Sequence, residues 1–288
     1  MIYITLPEFY FNYNIINLFS KLPKHYLKTD LSFSAASGNF PYCYWNGGFN
    51  NNTSKLALYH SIHQCIDTVK MPIRFNCSNI YLTKDDLDDT MANLILKLGE
   101  TGSNEIAISN IEFYDILKNR YPNYKFVFSR EADLIYPMTS EIINLIHEQN
   151  LFKMIEIPEV KVKDFEFLKA IKQKNKIELP INTLCKFDCY NFKNCKYHEH
   201  KAQYDYSKIN NYMSCAMRKD YDEKDKTLIT LEEIIETYLP MGINHFSLAP
   251  VMNSSKDSLL IFLIDFFVKE EHHDDVYSII LKDRFKND

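Results

Sequence analysis

The chain has 288 residues, 46% of them hydrophobic, and a formal net charge of -5 at pH 7. The apolar content is enough for a sizeable core in one large domain or two small ones. The negative net charge gives no indication of a basic surface that would bind nucleic acid. With only six glycines, none of them in a Walker or dinucleotide-binding frame, the sequence argues against an ATPase or a Rossmann dehydrogenase.

The sequence shows no segment that would target it to a membrane. It has no run of about 18 apolar residues. Its start, Met1 to Pro7, lacks the positive charge and the small-residue cleavage site of a signal peptide. We therefore expect a cytoplasmic protein that binds neither membranes nor nucleic acid.

Short β-rich runs predict eight strands along the chain. They are Ile2–Leu6, Leu31–Ala35, Ile73–Cys77, Glu105–Ser109, Lys125–Ser129, Met154–Ile157, Ile177–Ile181 and His245–Ala249. Between and after them, apolar residues at three- and four-residue spacing predict eight amphipathic helices. These are Asn14–Leu22, Ser54–Val69, Leu87–Leu98, Ile111–Asn119, Ser140–Gln149, Phe165–Lys172, Leu231–Tyr238 and Asp257–Lys269.

Helix start signals support two of these helices. Thr83 to Asp86 resembles an N-cap with acidic residues in the first turn, and Thr230 to Glu233 fits a capping box. Eight strands that alternate with eight helices predict an α/β fold, a (β/α)8 TIM-type barrel, as one domain over residues 1–288. A doubly wound open sheet is the alternative, because the number of strands does not show closure.

One segment interrupts the alternation. Residues 183–227 follow the seventh strand, are polar and tyrosine-rich, and lack a clear periodicity. Long insertions in compact domains are usually functional. In a barrel, this insertion would lie over the mouth formed by the carboxyl ends of the strands, where barrel active sites occur.

The insertion carries four of the seven cysteines. The spacing is Cys185-x3-Cys189-x5-Cys195, followed after nineteen residues by Cys215. Three thiols within eleven residues converge at little loop-closure cost, and four thiolates suit either an iron–sulfur cluster or a tetrahedral zinc ion. The paired knuckles of a structural zinc site are absent, which favours the cluster. A third interpretation is that the four cysteines are thiols in a loop that binds no metal.

Other side chains could complete such a site. His198 and His200 could replace a thiol, although polar loop histidines are more often solvated. Cys43, just after the second strand, would also reach the mouth, whereas Cys65 lies on a predicted helix and is expected in the core.

Several segments resemble one known family. Asn182 to Cys189, followed by Cys195 and by Cys215 to Arg218, resembles the cysteine region of the collagenase-like peptidase family U-thirty-two. The stretch from Ile229 to Phe246 resembles the closing helix and strand of that family. Two early segments, Ser37 to Pro41 and Trp45 to Gly48, are also similar, as is Ile73 to Asn79.

The resemblance implies a barrel with an oxygen-sensitive four-iron (4Fe-4S) cluster held by Cys185, Cys189, Cys195 and Cys215. The family includes the UbiU and UbiV proteins of anaerobic ubiquinone hydroxylation and relatives that hydroxylate RNA bases. This chain departs from the family pattern at Tyr190, where a proline is expected, and at Ser247 to Val251, where the family carries Lys-x-x-Gly-Arg.

Polar residues at predicted strand ends are the candidates for the barrel mouth. They are Glu8, Asn39, Asn79, Ser109, Arg130, Glu131, Glu156, Asn182 and His245. Glu131 and Glu156 could form an acid/base pair, with Arg130 beside them, because two carboxylates in a low-dielectric mouth shift each other's pKa. Asn39, Asn79 and Asn182 could bind substrate, and Trp45, the single tryptophan, could stack on a planar one.

These observations leave three functional hypotheses. The first is an iron–sulfur enzyme of the oxygen-independent hydroxylase type, acting on a small organic molecule. The second is a hydrolase with Glu131 or Glu156 as general base. The sequence has neither the Ser-His-Asp order of a serine protease nor the His-Glu-x-x-His motif of a zinc protease, so it does not support ordinary proteolysis. The third is a non-catalytic, metal-stabilised barrel that binds a partner protein.

Overall fold

A computed structural model of the chain describes residues 1–39, 43–47, 59–183, 192–201, 228–249 and 256–287. Within these residues, eight parallel strands close into a barrel in chain order. The strands are β1 (Ile2–Leu6), β2 (Leu31–Gly38), β3 (Ile73–Cys77), β4 (Glu105–Ile108), β5 (Lys125–Phe128), β6 (Met154–Glu156), β7 (Ile177–Pro180) and β8 (His245–Ser247). The predicted (β/α)8 barrel is confirmed, and the open-sheet alternative is wrong.

Closure depends on β1, which pairs with β2 on one side and with β8 on the other. On the β8 side, Tyr3 lies opposite His245 and Thr5 opposite Ser247. The β1–β2 register shifts by one residue between Ile4 and Thr5. Because side chains alternate along a strand, these pairings decide which residues point into the barrel and which point outward.

Helices follow most strands. Those before β8 are α1 (Phe9–Phe19), α2 (Tyr59–Thr68), α3 (Thr90–Leu98), α4 (Tyr114–Arg120), α5 (Ser140–Gln149), α6 (Phe165–Ala170), α7 (Phe192–Lys201), α8 (Leu231–Glu233) and α9 (Leu239–Met241). A π-helical segment, Ile234–Tyr238, joins α8 to α9. After β8 come α10 (Lys256–Phe267) and α11 (His273–Asn287).

The main apolar core lies between the outer faces of the strands and the helices. Phe75 of β3 is fully buried and packs edge-on against Phe9 and Tyr124, at ring distances of 5.5 and 6.0 Å. Burial of one such side chain stabilises the fold by about 1.5–3 kcal/mol. With Phe75 directed outward, its neighbour Arg74 is directed into the barrel.

The helix starts are partly as predicted. At α8, the Thr230 side chain accepts from the backbone of Glu233, and Glu233 accepts from the backbone of Thr230, which confirms the capping box. The start predicted near Thr83 is wrong. Asp89 caps α3 by accepting from Ala92 N–H at 2.7 Å, and Asp85–Asp88 form a separate short 3-10 helix.

Two of the described α-helices longer than three residues had no counterpart among the predicted ones. They are α7, inside the predicted insertion, and α11 at the end of the described chain. Of the insertion at 183–227, the structure describes residue 183 and α7, whereas Cys185, Cys189 and Cys215 lie outside the described residues. Among the described helices, none combines the length and the apolar character needed to cross a membrane.

Candidate functional site

The interior of the barrel contains a buried ion cluster centred on Arg74. Its Nε donates to Glu105 Oε2 at 2.8 Å, and its Nη1 donates to Glu156 Oε1 at 2.8 Å and to Glu178 Oε1 at 2.6 Å. Nη2 reaches Glu178 Oε2 at 3.0 Å, and Thr5 donates to the same oxygen at 2.8 Å. All five side chains are almost completely buried. The arginine therefore ties β3, β4, β6 and β7 together across the barrel.

Electrostatics keep this cluster charged. Burial opposes ionisation of Arg74, but Glu178, Glu105 and Glu156 raise its pKa well above the usual value. Burial likewise opposes ionisation of Glu178 and Glu105, and Arg74 nevertheless holds the pKa of both carboxyls below the ordinary range. Lys153 adds a second cation beside Glu105. Buried charges of this kind are tolerated only when paired and hydrogen-bonded.

A second layer of charge lies above the cluster, at the carboxyl ends of β5 and β6. Arg130, two residues after β5, lies 3.6 Å from Glu156 and 3.7 Å from Glu159, and its Nη2 donates to Ser247 Oγ at 3.2 Å. Glu156 also accepts from Ser129 Oγ at 3.3 Å. Arg130 and Glu156 thus meet at the mouth, as both were predicted to do. Arg130 has its ion pairs with Glu156, the last residue of β6, and with Glu159, rather than with its sequence neighbour Glu131.

Glu131 instead contacts the insertion helix α7. His200 Nε2 lies 2.9 Å from Glu131 Oε2, and His200 Nδ1 accepts from the backbone N–H of Ile80 at 3.3 Å. Because Nδ1 accepts, the ring proton is on Nε2, and His200 donates it to the carboxylate. His200 is fully buried. In this structure both ring nitrogens are engaged by protein groups, which leaves neither for a metal.

Lys196, one turn before His200, is surrounded by carboxylates. Its Nζ lies 3.5 Å from Glu131, 3.2 Å from Glu159 and 3.4 Å from Glu199. Burial alone would raise the pKa of Glu131, but Lys196 and His200 outweigh it and hold that pKa far below its usual range. Glu131 is therefore a permanent anion at neutral pH and a weak proton acceptor.

These contacts place α7 across the mouth of the barrel. Its residues reach the loops after β3, β5 and β6, through Ile80, Glu131 and Glu159 respectively. Tyr197 adds a hydrogen bond to the carbonyl of Leu134 at 2.8 Å. The expected position of the insertion over the mouth is thus borne out for the part of it that the structure describes.

Asn79 joins three segments at the end of β3. Its backbone N–H donates to the carbonyl of Trp45 at 3.0 Å, and its Nδ2 donates to the carbonyls of Tyr44 at 2.7 Å and of His200 at 3.4 Å. Its Oδ1 accepts from the backbone of Tyr81 at 3.0 Å. In this structure these four hydrogen bonds all join Asn79 to backbone groups of the protein. Its predicted role in substrate binding stays a prediction.

The remaining predicted binding residues lie around the same rim. Trp45 is fully buried and its indole N–H donates to the carbonyl of Asp86 at 2.8 Å, so its ring is part of the core here. Asn182 exchanges two hydrogen bonds with the backbone of Ala249, at 3.1 and 2.6 Å, and so joins the ends of β7 and β8. Asn39 is buried directly after β2. His245, in contrast, opens β8 and stacks on Tyr3 at 4.6 Å, below the mouth.

Glu8 has an unusual conformation at the end of β1. Its φ of 55° lies in the left-handed region, where residues other than glycine and asparagine are rare. It occupies the N-cap position of α1, yet its side chain caps no helix N–H. Burial raises the pKa of this carboxyl to about 8. A strained, half-buried carboxyl at a barrel mouth is a candidate proton donor.

The described cysteines lie in different surroundings. Cys195 is on α7, half-buried, next to the anchoring residue Lys196. Cys43 and Cys77 are both buried. Burial is the main cause that raises the pKa of the Cys43 thiol, and the neighbouring Cys77 raises it further. No three His, Cys, Asp or Glu side chains among the described residues are arranged to hold a metal ion. The predicted four-cysteine site stays a prediction.

Two surface clefts of about 330 and 340 Å³ lie at the opposite end of the barrel. Residues before β2 and at its start, with Lys269, line one cleft, and residues before β3 and before β4 line the other. Because the carboxyl ends of the strands carry the buried charges, we assign the candidate site to the mouth rather than to these clefts.

The sequence analysis missed several residues of the site. Arg74, Glu105 and Glu178 were not candidates, and neither were Glu159 and Lys196. A signal was present, because Glu178 is the only polar residue of β7, and Arg74 and Asn76 alternate with apolar residues in β3. In a barrel whose outer face is apolar, such a residue must point into the interior.

Comparisons with known proteins bear on the fold. No protein-family model matches the chain, and no curated protein matches it. A solved structure described as that of the U32 peptidase Mk0906 is similar with a TM-score of 0.51 and 12% sequence identity, over 87% of this chain and 94% of that chain. At this identity the likeness supports the barrel fold and does not by itself transfer an activity.

Proposed function

We propose that the chain is an iron–sulfur enzyme that acts on a small organic substrate at the mouth of the barrel, in the manner of an oxygen-independent hydroxylase. The observation that carries this proposal is the anchoring of α7. The helix holds Cys195 and is fixed over the mouth through His200 and Lys196. A ligand on this helix lies beside the site where barrel enzymes bind their substrates.

The donor set is Cys185, Cys189, Cys195 and Cys215. Four thiolates within one insertion match the ligands of a four-iron cluster. Of these, the structure describes Cys195, which is half-buried beside the charged residues of the mouth. When bound, such a cluster supplies single-electron transfer. The similar solved structure, named as a U32 peptidase, supports the proposal only through the shared fold, together with the sequence resemblance to that family.

The protein's own side chains have other tasks. Arg130 and Arg74 neutralise the carboxylates that face the interior and keep the mouth rigid. The insertion helix covers part of the charged site and limits the access of water, since Glu131 and Glu159, which contact it, are almost fully buried. Glu8, with its raised pKa, is a group that can donate a proton at neutral pH.

A hydrolase is the second candidate function, favoured by the peptidase name of the similar structure. It requires Glu131 or Glu156 to act as a base. Glu131 is held as an anion of low basicity by Lys196 and His200, and Glu156 is paired with Arg74 and Arg130. Because ion-paired carboxylates accept protons poorly, this geometry favours the iron–sulfur proposal.

Anaerobic reconstitution with iron and sulfide tests the proposal. We expect the wild type and Cys65→Ala to take up equal amounts of iron and acid-labile sulfide and to show visible charge-transfer absorption, and Cys189→Ala to lose most of it. Cys65 is a matched control because it is buried on α2 and is not part of the insertion sequence. Equal cluster content in both variants, or zinc in place of iron in anaerobically purified protein, would contradict the assignment.

A further inference from the structure

One oxygen at the mouth is buried without a hydrogen-bond donor. Glu159 begins the short 3-10 helix Glu159–Lys161 after β6, and 5% of it is exposed. Both neighbouring cations approach the same oxygen, Oε1: Lys196 at 3.2 Å and Arg130 at 3.7 Å. Oε2 is fully buried and accepts no hydrogen bond. A carboxylate oxygen in this state costs free energy unless a donor reaches it.

The charges around Glu159 select the kind of donor. The ion pairs of the mouth join Glu131, Glu156 and Glu159 to two cations, Arg130 and Lys196. Arg74 reaches Glu156 from below but is already shared with two other carboxylates of the interior. An anionic group placed beside Oε2 would be repelled by these carboxylates, whereas a cationic N–H donor would be attracted.

Among the described residues, no group of the protein donates a hydrogen bond to Glu159 Oε2. Lys161, two residues on, donates to Asp133 at 3.0 Å and to the carbonyl of Met138 at 2.6 Å, and Lys163 pairs with Glu233 at 3.0 Å. Both nearby lysines are thus directed to other acceptors. Among the described residues, no lysine or arginine therefore donates to Glu159 Oε2.

We propose that Glu159 is the recognition residue of a subsite for a primary ammonium group, located between α7 and the loop after β6. The ammonium donates to Oε2, while Lys196 and Arg130 remain on Oε1. This inference rests on the proposed function in one respect, since the bound amine is then part of the enzyme's substrate. The substrate class is an organic amine rather than an organic acid.

The test uses the full chain, purified anaerobically, in phosphate buffer at pH 7, because amine buffers would compete. The probes are n-butylammonium, butyrate and tetramethylammonium, each titrated by calorimetry and by thermal unfolding. We expect n-butylammonium to bind and to raise the unfolding temperature, and the other two to do neither. Tetramethylammonium carries the charge without an N–H group, so it separates a hydrogen bond from simple charge attraction.

Variants locate the subsite. We expect Glu159→Gln to weaken n-butylammonium binding by about tenfold or more, since a hydrogen bond to a charged acceptor is lost. Glu166→Gln, at an exposed side chain paired with Lys169, is the matched control and should bind as the wild type does. If Glu159→Gln does not fold, the comparison of the three probes on the wild type still decides the question.

The proposal is overturned if no amine binds, if butyrate binds better, if tetramethylammonium binds as well as n-butylammonium, or if Glu159→Gln leaves affinity unchanged. The first of these results, the absence of amine binding, is expected if a water molecule is the donor to Oε2. Cluster absorption measured on the same samples keeps the two proposals apart. Amine binding without a cluster contradicts only the proposed function, and a full cluster without amine binding contradicts only the subsite.

Discussion

His200 Nε2 lies 2.9 Å from Glu131 Oε2, and this bond fixes the insertion helix α7 to the loop after β5. The opposite nitrogen of the ring accepts from Ile80 N–H, which orients the imidazole from the β3 side. One side chain thus spans two loops of the barrel mouth. The position of Cys195 on α7 follows from this contact.

Glu131→Gln should loosen α7 without unfolding the barrel. The change removes the negative charge that faces Lys196 and weakens the bond from His200, which together are worth about 1.5–3 kcal/mol. We expect faster amide hydrogen exchange within residues 192–201, measured by mass spectrometry, and unchanged exchange in β3 and β4. Glu166→Gln should leave both regions as in the wild type. Equal protection of α7 in wild type and Glu131→Gln would show that the helix is held by other contacts.

Glu8 should make the protein less stable as the pH rises. Its folded pKa of about 8 lies above the ordinary value of 4.5, so the folded state binds the proton more tightly than the unfolded state. The stabilisation is fully present below pH 4.5 and is lost as the pH rises through 8, by up to about 1.4 kcal/mol per pH unit. Glu8→Gln cannot ionise and should unfold at a higher temperature than the wild type at pH 9, but not at pH 5. Parallel pH profiles for the two proteins would contradict the raised pKa.

Arg74→Met should be among the most damaging single substitutions in the barrel. It leaves Glu105, Glu156 and Glu178 facing one another in the interior, and breaking such a buried network costs about 3–5 kcal/mol. Urea denaturation measures the loss. Arg74→Lys keeps the charge but cannot form all four hydrogen bonds, so we expect an intermediate value.

An exposed ion pair provides the control for this experiment. Lys169→Met removes a pair in which both side chains are largely exposed, and the expected loss is below about 1 kcal/mol. If Arg74→Met and Lys169→Met shift the urea midpoint equally, the central cluster does not stabilise the barrel as the geometry indicates.

Gly47→Ala should displace residues 43–47 from the end of β3. A Cβ at this position would lie 1.9 Å from Ser78 Oγ and 2.8 Å from the Ser78 carbonyl carbon. Such overpacking costs about 1–3 kcal/mol. Because Trp45 is the only tryptophan and is fully buried, its fluorescence emission should shift to longer wavelength. At Gly102 an added Cβ meets no atom within 4 Å, although the positive φ of 71° strains an alanine there. Gly102→Ala should therefore lower stability without displacing residues 43–47, and should leave the emission unchanged.

Part of the candidate site could be predicted from the sequence. Arg130 and Glu156 were expected at the mouth because each is at or just beyond the carboxyl end of a strand, and the structure brings them together at 3.6 Å. Arg130 and Glu131 are adjacent in the sequence, but Arg130 pairs with Glu156 and Glu159 instead, because adjacent side chains leave the backbone in different directions. The contact between Glu131 and His200 joins residues 69 positions apart, so no local sequence pattern predicts it.

The sequence by itself determined the alternation of strands and helices, because β-rich runs and amphipathic helical patterns alternate from Ile2 to Ser247 and each is a local property of the chain. Closure of the strands into a barrel was decided by the tertiary structure, because it depends on the pairing of β1 with β8. The sequence also determined the start of α8, since Thr230 and Glu233 cap the helix through contacts three residues apart. It did not reveal α7, whose polar stretch becomes helical over the mouth through contacts with distant loops. Only the tertiary structure decided the partners of Arg74, Lys196 and Glu159, because buried charges pair across the barrel with whichever opposite charges closure brings within reach.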